Sequence, residues 1–450
     1  MLTREESQAL TEKVLKLADA EQVEAILFSS STNSTRFSSN VITQNVGLTN
    51  QTLRLRVING KRQGVASVNQ FDDESIKRCV QSALAVARVA AEDDKLLPLL
   101  DKQPEYEPVN AWHESTATFT PADRAAQIGK VLGDYDKRGL EGAGIFDTDE
   151  GAIAYTNNKG VFAYKAGSKA EFSVSAFLEN GNVEGWAESF ALDVNNTDTW
   201  AAGQTAAEKA EKGVKPQAIE PGEYPVIFEP SAVAEMMLFW GWLTANGLAF
   251  AEKRSFHRGE LGQAILDKKL TITENPYHPE LGGTPFDMEG FPTQKVTLVE
   301  NGTIKAVVHD RRSAALCGQQ NTGHASMQPN AGGAGPGSLV VSTGDQTIDE
   351  MIANTERGLL VTKLHYTNVV NQQEVSITGM TRAGTFMIEN GKITHPVKNM
   401  RFTQSLLTAF ANVDALGKDA HAGGGALFGG NFVVPAMKIG KWRFSSPTGF

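Results

Sequence analysis

The stretch from Ser231 to Ser255, SAVAEMMLFWGWLTANGLAFAEKRS, constrains the fold more than any other part of the chain. Nearly every residue from Val233 to Phe250 is apolar or small, and Glu235 is the one charged side chain among them. A helix that is apolar on all sides is either deeply buried or spans a membrane. This run is isolated in a chain whose mean hydropathy is −0.26. We therefore predict a core helix around which the rest of the chain packs.

The charge balance and the cysteine count exclude several classes of function. The 42 basic and 52 acidic side chains give a net charge of −10, whereas binding to a nucleic acid backbone needs clustered Lys and Arg. Two cysteines, Cys79 and Cys317, cannot form a disulfide framework and fit a reducing compartment. The first residues, MLTREESQ, lack the apolar segment of a signal peptide. We expect a cytoplasmic protein with no nucleic acid partner and no membrane partner.

The first half of the chain repeats one order of elements. Residues 3–92 read as a helix with a Thr3–Glu6 capping box, then strands around an Asn59-Gly60 hairpin turn, then an alanine-rich helix. Residues 120–213 show the same order. In this second segment the predicted strands are Gly144–Phe146, Ala152–Thr156, Val161–Lys165 and Glu171–Leu178. The two segments share no similarity residue by residue, so a duplication of 3–92 and 120–213 rests on the order alone.

A segment with two prolines, residues 212–221, separates this half from the next. From residue 290 onward, short strands and Asn-Gly turns dominate, which favours a barrel-like or sandwich sheet. The pattern predicts an α+β fold in two domains. Residues 1–215 form an N-terminal domain of helices and antiparallel sheet. Residues 222–450 form a β-rich, barrel-like C-terminal domain with the central helix buried inside it.

Two glycine-rich stretches interrupt the second half. Gln319–Gly337 has no periodicity, and a loop of that length in a compact domain is usually functional or disordered. The second stretch is His421–Gly430, HAGGGALFGG. The eight histidines of the chain are scattered, but His324 and His421 fall in these two stretches. Because loops carry sites more often than strands do, we predict His324 and His421 as site residues.

Asp287 and Glu289 are neighbouring carboxylates in the loop Gly283–Gly290. To act as an acid and a base, they would need surroundings that separate their pKa values. The alternative is that Asp287 accepts hydrogen bonds from backbone N–H groups in a turn. The loop is rich in Pro and Gly, which favours this structural role.

The central helix lacks the residues that a zinc hydrolase places on such a helix. Two histidines one turn apart, with a glutamate between them, hold the metal and activate its water. Residues Ala234–Phe239, AEMMLF, contain Glu235 but no histidine. No two histidines of the chain lie within one helical turn of each other. The residues therefore predict no metal and no other cofactor.

Several segments, taken in order, resemble the TldD/PmbA family, also called modulator-of-gyrase proteins, over nearly the whole chain. No single segment is specific, but their order and spacing together are. The segments are Leu53–Val68, Tyr155–Gly160, Gly283–Gly290, His309–Ala315, Asn321–Ala325, Gly384–Gly391 with its Ile-Glu-Asn-Gly signature, and Pro396-Val397.

This resemblance implies cytosolic proteolysis of peptides and unfolded chains, and peptide maturation. The TldD kind of member bears His-Glu-x-x-x-His on the central helix and a cysteine ligand in the last glycine-rich stretch. The PmbA or TldE kind lacks these ligands and pairs with the first. If Glu235 is aligned with that glutamate, Ala234 and Phe239 replace the two histidines, and Gly423–Asn431 contains no cysteine. The chain is similar to the PmbA kind.

The leading hypothesis is a metal-free subunit that pairs with a TldD-like metallopeptidase paralogue, or with itself, and helps bind an extended peptide or unfolded protein. The predicted lining of the peptide site is Asp287, Glu289, Asn321, His324 and His421. One alternative is a peptide-binding modulator, active as a homodimer without a proteolytic role. The other is a metal-independent hydrolase that uses Asp287 and Glu289.

Overall fold

Two β-sheets, one in each half of the chain, form the frame of the molecule. The computed structural model describes residues 1–178, 181–257, 261–423 and 431–448. Six strands of these ranges form the first sheet and eleven form the second. The α+β class predicted from the sequence is confirmed, because helices cover an antiparallel first sheet and strands dominate the second half. No helix in the described ranges is both long and apolar enough to cross a bilayer.

The first sheet is antiparallel, in the order β3-β2-β1-β4-β5-β6. Helices cover one face: Val14 and Ile76 pack on β1 and β2, and Val131 and Ala206 pack near β4 and β5. Side chains alternate along a strand, so every second residue points to the opposite, open face. The elements are α1 (Arg4–Leu17), β1 (Gln22–Ser38), β2 (Val41–Asn59), β3 (Arg62–Val68), α2 (Asp73–Val89), α3 (Glu114–Ala117), α4 (Pro121–Arg138), β4 (Glu141–Asn157), β5 (Phe162–Leu178), β6 (Val183–Ala191) and α5 (Thr199–Lys212).

The strands of the first sheet are longer than the sequence predicts. The four separate strands predicted between residues 144 and 178 are two continuous strands, β4 and β5. The polar residues Asp147–Gly151 continue β4 because they pair with β1 on one side and with β5 on the other. Strand β6 was not predicted at all, because its sequence, VEGWAESFA, has no clear alternation.

The order helix, three strands, helix occurs twice in this half. The two sets are α1-β1-β2-β3-α2 and α4-β4-β5-β6-α5, and they join through the antiparallel pair β1 and β4 at the centre of the sheet. This symmetry supports the duplication, which remains a prediction. Helix α5 ends at Lys212 and the next strand begins at Gly222, so the predicted boundary falls between the two sheets. The division into domains likewise remains a prediction.

The second sheet closes partly on itself. Strand β7 pairs with both β12 and β17, so β7, β12, β13, β15 and β17 form a ring of hydrogen-bonded strands. This ring is the barrel-like feature expected from the sequence. The strands are β7 (Gly222–Phe228), β8 (Ile272–Glu274), β9 (Val296–Glu300), β10 (Thr303–Ile304), β11 (Ser338–Val341), β12 (Arg357–Asn371), β13 (Ser376–Glu389), β14 (Lys392–Pro396), β15 (Met400–Ser405), β16 (Val413–Gly423) and β17 (Asn431–Pro447).

The apolar central segment forms two helices rather than one. Helix α6 (Pro230–Thr244) packs on β12 and β17, and its side chains of Met236, Met237 and Trp240 are almost completely buried. The predicted continuation is wrong beyond Thr244, because Asn246 accepts a hydrogen bond from the Ala249 backbone and starts a second helix. The remaining helices are α7 (Gly247–Ala251), α8 (Arg311–Cys317), α9 (Ile348–Ala353) and α10 (Leu406–Phe410).

Candidate functional site

The two halves of the molecule meet where β6 contacts β13 and β16. Polar contacts cross this junction. Arg382 Nε on β13 donates to Glu184 Oε2 on β6 at 3.0 Å. Lys363 Nζ on β12 lies 4.0 Å from the centroid of the Trp186 ring on β6, which is a cation–π distance. These contacts fix the open face of the first sheet against the strand ring.

A cavity of 750 Å³ opens at this junction and is called the junction cavity below. Its lining includes Trp186 and Glu188 of β6, Ala234 of α6, and His421 and Gly423 of β16. Among the described residues, β6 pairs only with β5, and the end of β16 pairs only with β17. The cavity is therefore bordered by two strands that each keep an edge without a strand neighbour. Such edges can accept an extended peptide as an additional strand.

Glu188 is the group of the junction cavity with the most altered acidity. Its neighbour Ala187 packs into the helix-covered core, so Glu188 points to the open face. Burial, followed by the charge of the nearby Glu171 carboxylate, raises the pKa of Glu188 to about 7. Lys363 and the Ser231 side chain lower the pKa, but less strongly. The carboxyl group therefore changes charge near neutral pH and carries a negative charge above it.

Glu235 lies one residue after the cavity-lining Ala234 on helix α6. Its side chain is buried, with 3 % exposed, and burial raises its pKa. Thr367 and Lys363 of β12 are its polar neighbours. Within the described ranges, neither Glu235 Oε1 nor the Thr367 hydroxyl has a hydrogen-bond partner. Glu235 is thus turned into the junction between α6 and β12, beside the same lysine that faces Glu188.

Asp287 organises the loop in which it lies. Its Oδ1 accepts hydrogen bonds from the backbone N–H groups of Glu289 and Phe291, both at 2.9 Å, and its Oδ2 accepts one from Ala325 at 3.0 Å. Only 5 % of Asp287 is exposed, and burial, followed by the charge of Glu289, raises its pKa to about 7. This is the structural role that the sequence favours over acid–base chemistry.

Glu289 forms an ion pair with Arg311, and Arg311 also contacts the N-terminal half of the chain. Its Oε2 accepts a hydrogen bond from Arg311 Nε at 2.7 Å, and Arg311 Nη1 donates to the carbonyl oxygen of Pro98 at 2.7 Å. In the same loop, the carbonyl oxygen of Gly290 accepts a hydrogen bond from the Tyr106 hydroxyl at 2.7 Å. The loop 283–294 is therefore held against the N-terminal half, and neither predicted carboxylate is available as a lone acid or base.

Asn321 and His324 anchor the start of the first glycine-rich loop, which has no helix or strand from residue 319 to 337, as predicted. Asn321 Oδ1 accepts a hydrogen bond from the Gly323 backbone at 3.0 Å. His324 Nδ1 lies 2.9 Å from the Thr322 hydroxyl, and its Nε2 lies 3.5 Å from Glu274 Oε1. Only 7 % of His324 is exposed. Both side chains hold the loop rather than line the junction cavity.

The five predicted site residues fall in two places. Asp287, Glu289, Asn321 and His324 belong to two loops that meet through the hydrogen bond from Ala325 to Asp287. His421 lies apart from them, in the junction cavity. Its predicted position in a glycine-rich loop is wrong, because residues up to Gly423 continue β16 and pair with β17. The rest of that predicted loop, 424–430, lies outside the described residues.

The charged and aromatic residues that meet at the junction were not identified from the sequence. Trp186 and Glu188 lie on β6, whereas Lys363 lies on β12, 175 positions after Glu188 in the chain. Their proximity depends on the docking of β6 against β12 and β13, which no local pattern encodes. The one available signal was Glu235, a carboxylate within an apolar helix, because a buried charge needs a polar neighbour from elsewhere.

The helix-covered sheet, the strand ring with a buried helix packed against it, and the cavity at their junction define a two-part α+β protein with its candidate site at that junction. The sequence was compared with models of known protein families. A model described as PmbA/TldA metallopeptidase C-terminal domain matches residues 221–446, about half of the chain, and PmbA/TldA metallopeptidase domain 1 matches residues 23–87. The chain belongs to the TldD/PmbA family.

Individual relatives agree with this assignment. The chain is 27 % identical over 401 residues to a protein named Metalloprotease PmbA homolog from Haemophilus influenzae, which covers 84 % of this chain and 83 % of that one. It is 27 % identical over 403 residues to Metalloprotease PmbA from Escherichia coli O157:H7, covering 86 % and 85 %. The crystal structure of TldE from Thermococcus kodakarensis has the same fold, with a TM-score of 0.86, 21 % identity, and coverage of 98 % and 99 %.

The residues at the junction do not fit the metal that the family name implies. Ala234 and Phe239 have no donor atoms, and Phe239 is buried in the hydrophobic core of the second half. In the part of the chain that the structure describes, no three His, Cys, Asp or Glu side chains are placed to hold a metal ion together. Glu235 corresponds to the glutamate of the His-Glu-x-x-x-His pattern, and its side chain lies near Lys363 instead of near two histidines.

Proposed function

We propose that this chain is a metal-free subunit of a TldD/PmbA-type peptidase, which pairs with a metal-bearing paralogue and helps to bind an extended peptide. One observation carries the proposal. The first turns of α6 border the junction cavity, as a catalytic helix would, but the residues that reach the cavity are Pro230, Ser231 and Ala234, and none of them is a usual metal ligand. The position offers space without a metal ligand, which suits binding of a substrate and not its hydrolysis.

The junction cavity suits the backbone of an extended peptide. The edges of β6 and β16 supply N–H and C=O groups on either side, and main-chain hydrogen bonds to such an edge bind peptides without regard to their sequence. Trp186 adds an aromatic wall, although part of its ring is engaged by Lys363. A subunit that holds many peptides in this way would serve a peptidase of broad substrate range.

The charge of the junction cavity indicates which side chains it prefers. Glu188 becomes negative above neutral pH and lies at the wall of the cavity. Lys209 also lines the cavity, but its ammonium group is already paired with Glu229, with Nζ and Oε2 2.5 Å apart. A lysine or arginine side chain of a bound peptide would therefore meet an acidic wall. We infer a preference for peptides with a cationic residue.

The test of the paired role is a peptidase assay with three samples: this chain alone, the metal-bearing paralogue of the same organism alone, and the two mixed. The assay uses a fluorogenic unstructured peptide, with and without EDTA. Chelator-sensitive cleavage is expected in the mixture and not with this chain alone. Strong chelator-sensitive cleavage by this chain alone would refute the proposal, as would identical activity of the paralogue with and without it.

The test of the peptide site uses two substitutions on one strand. Ala422 lines the junction cavity at the end of β16, whereas Asp419 is exposed on the same strand and does not line it. We expect Ala422→Trp to fill the cavity and to weaken the binding of a fluorescein-labelled octapeptide at least tenfold. Asp419→Trp is the matched control and should bind the octapeptide like the wild type. Equal binding by all three proteins would show that the peptide does not enter this cavity.

The modulator alternative keeps the same cavity but needs no paralogue, and it predicts peptide binding with no effect on cleavage in the mixed assay. The hydrolase alternative is not supported by the geometry. Asp287 is held by three backbone N–H groups and Glu289 by Arg311, so neither carboxylate faces the junction cavity as a reactive group.

A further inference from the structure

A second cavity, of 1070 Å³, lies beside the start of β5 and is called the lysine cavity below. The connector of residues 102–112 forms one wall, and residues 160–166 form another. Its volume is sufficient for a small organic molecule, and it shares no lining residue with the junction cavity. The aromatic residues of its lining are Tyr106, Trp112, Phe162 and Tyr164.

Lys165 lies in this lining and has no partner of opposite charge. It pairs with Ile153 of β4, whose side chain packs on the apolar cluster that contains Tyr155 and Phe286. Within the described ranges, the Lys165 ammonium group forms no hydrogen bond and no ion pair. Burial lowers the pKa of Lys165 to about 8, so a substantial fraction of the amine is neutral in mildly alkaline solution. An exposed lysine remains almost entirely charged there.

Gly167 leaves the space in which the Lys165 amine lies. A Cβ atom at Gly167 would be 2.7 Å from Lys165 Nζ and 3.3 Å from its Cε. The lysine side chain therefore runs along β5 and ends above Gly167. The residue that pairs with Gly167 on β4 is also a glycine, Gly151. Because two neighbouring strands lack a side chain at this point, the surface beside the amine is open.

The other charged groups of the lining do not compensate the charge of Lys165. They are Arg4 of α1 and Lys102, Glu105 and Glu107 of the connector. The guanidinium carbon of Arg4 lies 5.1 Å from the centroid of the Phe162 ring. The two glutamates are exposed, and burial is the one cause of the lowered pKa of Lys165. A desolvated lysine without a counter-ion is the form that reacts with carbonyl compounds in proteins.

We propose that Lys165 is a nucleophilic amine and that the lysine cavity binds a small aromatic aldehyde, which Lys165 holds as an imine. The nitrogen of the neutral amine forms a bond to the carbonyl carbon. The carbonyl oxygen leaves as water together with the two hydrogens of the amine, so the step needs no oxidant, reductant or metal. The aromatic side chains of the lining suit the planar ring of such a ligand. This inference does not depend on the proposed binding of peptides.

The first test traps the imine in the full wild-type chain. Benzaldehyde below the concentration of the protein is mixed with it at pH 7.5, sodium cyanoborohydride reduces the imine to a stable secondary amine, and peptide mass mapping locates the label. We expect Lys165 to be labelled at least about tenfold faster than Lys61, whose side chain is 60 % exposed, because more of its amine is neutral. The exposed Lys102 of the same lining should react like Lys61.

The dependence on pH distinguishes an unusual amine from mere accessibility. Labelling of Lys165 should rise from pH 6 and level off above about pH 8, whereas labelling of Lys61 should continue to rise to pH 10. The ratio of labelling at Lys165 to that at Lys61 should also be higher with benzaldehyde than with propanal, because propanal has no ring to contact the aromatic lining.

The second test moves the amine without removing it. Gly167→Ala places a methyl group where Lys165 Nζ lies, and the flexible lysine must turn away, so labelling at pH 7.5 should fall at least about fivefold. Gly151→Ala is the matched control, because its Cβ would meet Ser29 and Ser30 instead of the lysine. Lys165→Arg keeps the charge and should lose the label at this site with unchanged circular dichroism.

Three results would overturn the proposal. They are equal labelling of Lys165 and Lys61 in the wild type, a label that is unchanged in Gly167→Ala, and a plateau of labelling that is absent at Lys165. Binding of benzoate to the cavity, with no imine from benzaldehyde, would show that a charged Lys165 binds anions and would overturn it as well.

Discussion

Gly64 on β3 and Gly185 on β6 meet their helices in the same way. A Cβ atom at Gly64 would lie 2.1 Å from the carbonyl oxygen of Ala83 and 2.4 Å from the nitrogen of Ala87. A Cβ atom at Gly185 would lie 2.1 Å from the carbonyl oxygen of Ala206 and 2.4 Å from the nitrogen four residues later. Each glycine lets an alanine-rich helix approach the outer strand of its half-sheet. This equivalence of two positions supports the predicted duplication, although the sequences around them differ.

The close approach predicts that both glycines are required. Gly64→Ala and Gly185→Ala each push a methyl group into helix backbone, which cannot yield as a side chain can, and each should cost about 3 kcal/mol of unfolding free energy. Gly129→Ala is the matched control, because nothing lies within 4 Å of its added Cβ inside α4. The control should gain up to about 1 kcal/mol from helix propensity. Urea unfolding curves measure the unfolding free energies of the three variants. A loss below about 1 kcal/mol at Gly64 or Gly185 would contradict the close contact between strand and helix.

The sequence predicted local structure well and long-range structure poorly. Asn59-Gly60 and Asn390-Gly391 turn hairpins as expected, because the geometry of such a turn is set by two adjacent residues. The length of β4 was missed, because its polar middle is strand only through pairing with β1 and β5. The break of the central helix at Asn246 was missed too. The residues on both sides of Asn246 are apolar or small, so the sequence pattern continues across the N-cap of the second helix.

The candidate site was predictable only where a residue forms hydrogen bonds with residues that are close to it in the sequence. Asp287 was expected to accept backbone hydrogen bonds in its own loop, and two of its three bonds are within four residues. The buried charges at the junction arise differently, from Glu188, Glu235 and Lys363 on three elements that are distant in sequence. Burial at the junction, and not residue type, shifts the pKa of each of these groups, so composition could not reveal it.

The buried ion pair between Glu24 and Arg56 predicts a large loss when it is broken. Both side chains are at most 2 % exposed, and two hydrogen bonds of 2.6 and 2.9 Å join them. Arg56→Met leaves the carboxylate buried with the Tyr155 hydroxyl as its remaining hydrogen-bond partner, and should cost about 3–5 kcal/mol.

The double variant Glu24→Gln/Arg56→Met removes both charges and should regain much of that loss. The exposed pair Arg78–Glu74 provides the control, because Arg78→Met should change the unfolding free energy by less than about 0.5 kcal/mol. Thermal or urea unfolding distinguishes the cases. If the double variant proved no more stable than Arg56→Met, the loss would come from packing and not from the unpaired charge.

The raised pKa of Asp287 predicts a defined dependence of stability on pH. Its pKa is about 7 in the folded state and about 3.8 in the unfolded state, so between these values the folded protein binds the extra proton. Stability from this group therefore falls as pH rises from about 4 to 7, by at most about 1.4 kcal/mol per pH unit. Asp287→Asn cannot titrate, so its cost should shrink between pH 5 and pH 8.

Asp134→Asn supplies the control for this measurement. A hydrogen bond from Gln204 lowers the pKa of Asp134 below its usual value, and its ion-pair partner Arg138 stays charged, so its contribution is complete at pH 5 and is lost only in more acidic solution. The cost of Asp134→Asn should thus be constant from pH 5 to pH 8. Chemical unfolding at four pH values would decide, and a cost of Asp287→Asn that did not change with pH would show that Asp287 remains charged throughout.

The pKa of Glu188 predicts that the preference for cationic peptides switches on near neutral pH. We expect an octapeptide with a central lysine to bind the wild type five- to tenfold more tightly at pH 8 than at pH 6, because Glu188 loses its proton in this window. A twin peptide with norleucine in place of lysine should bind without this gain. Fluorescence anisotropy at both pH values measures the two affinities.

Two variants assign the switch to one carboxyl group. Glu188→Gln should bind the lysine peptide with the affinity that the wild type has at pH 6, whatever the pH. Glu280→Gln, an exposed carboxylate of the same lining, should keep the wild-type response. His113 and His421 also line the cavity, and any change of their charge persists in Glu188→Gln, so the difference between wild type and variant isolates Glu188. A pH response that survived in Glu188→Gln would assign the switch to these imidazoles instead.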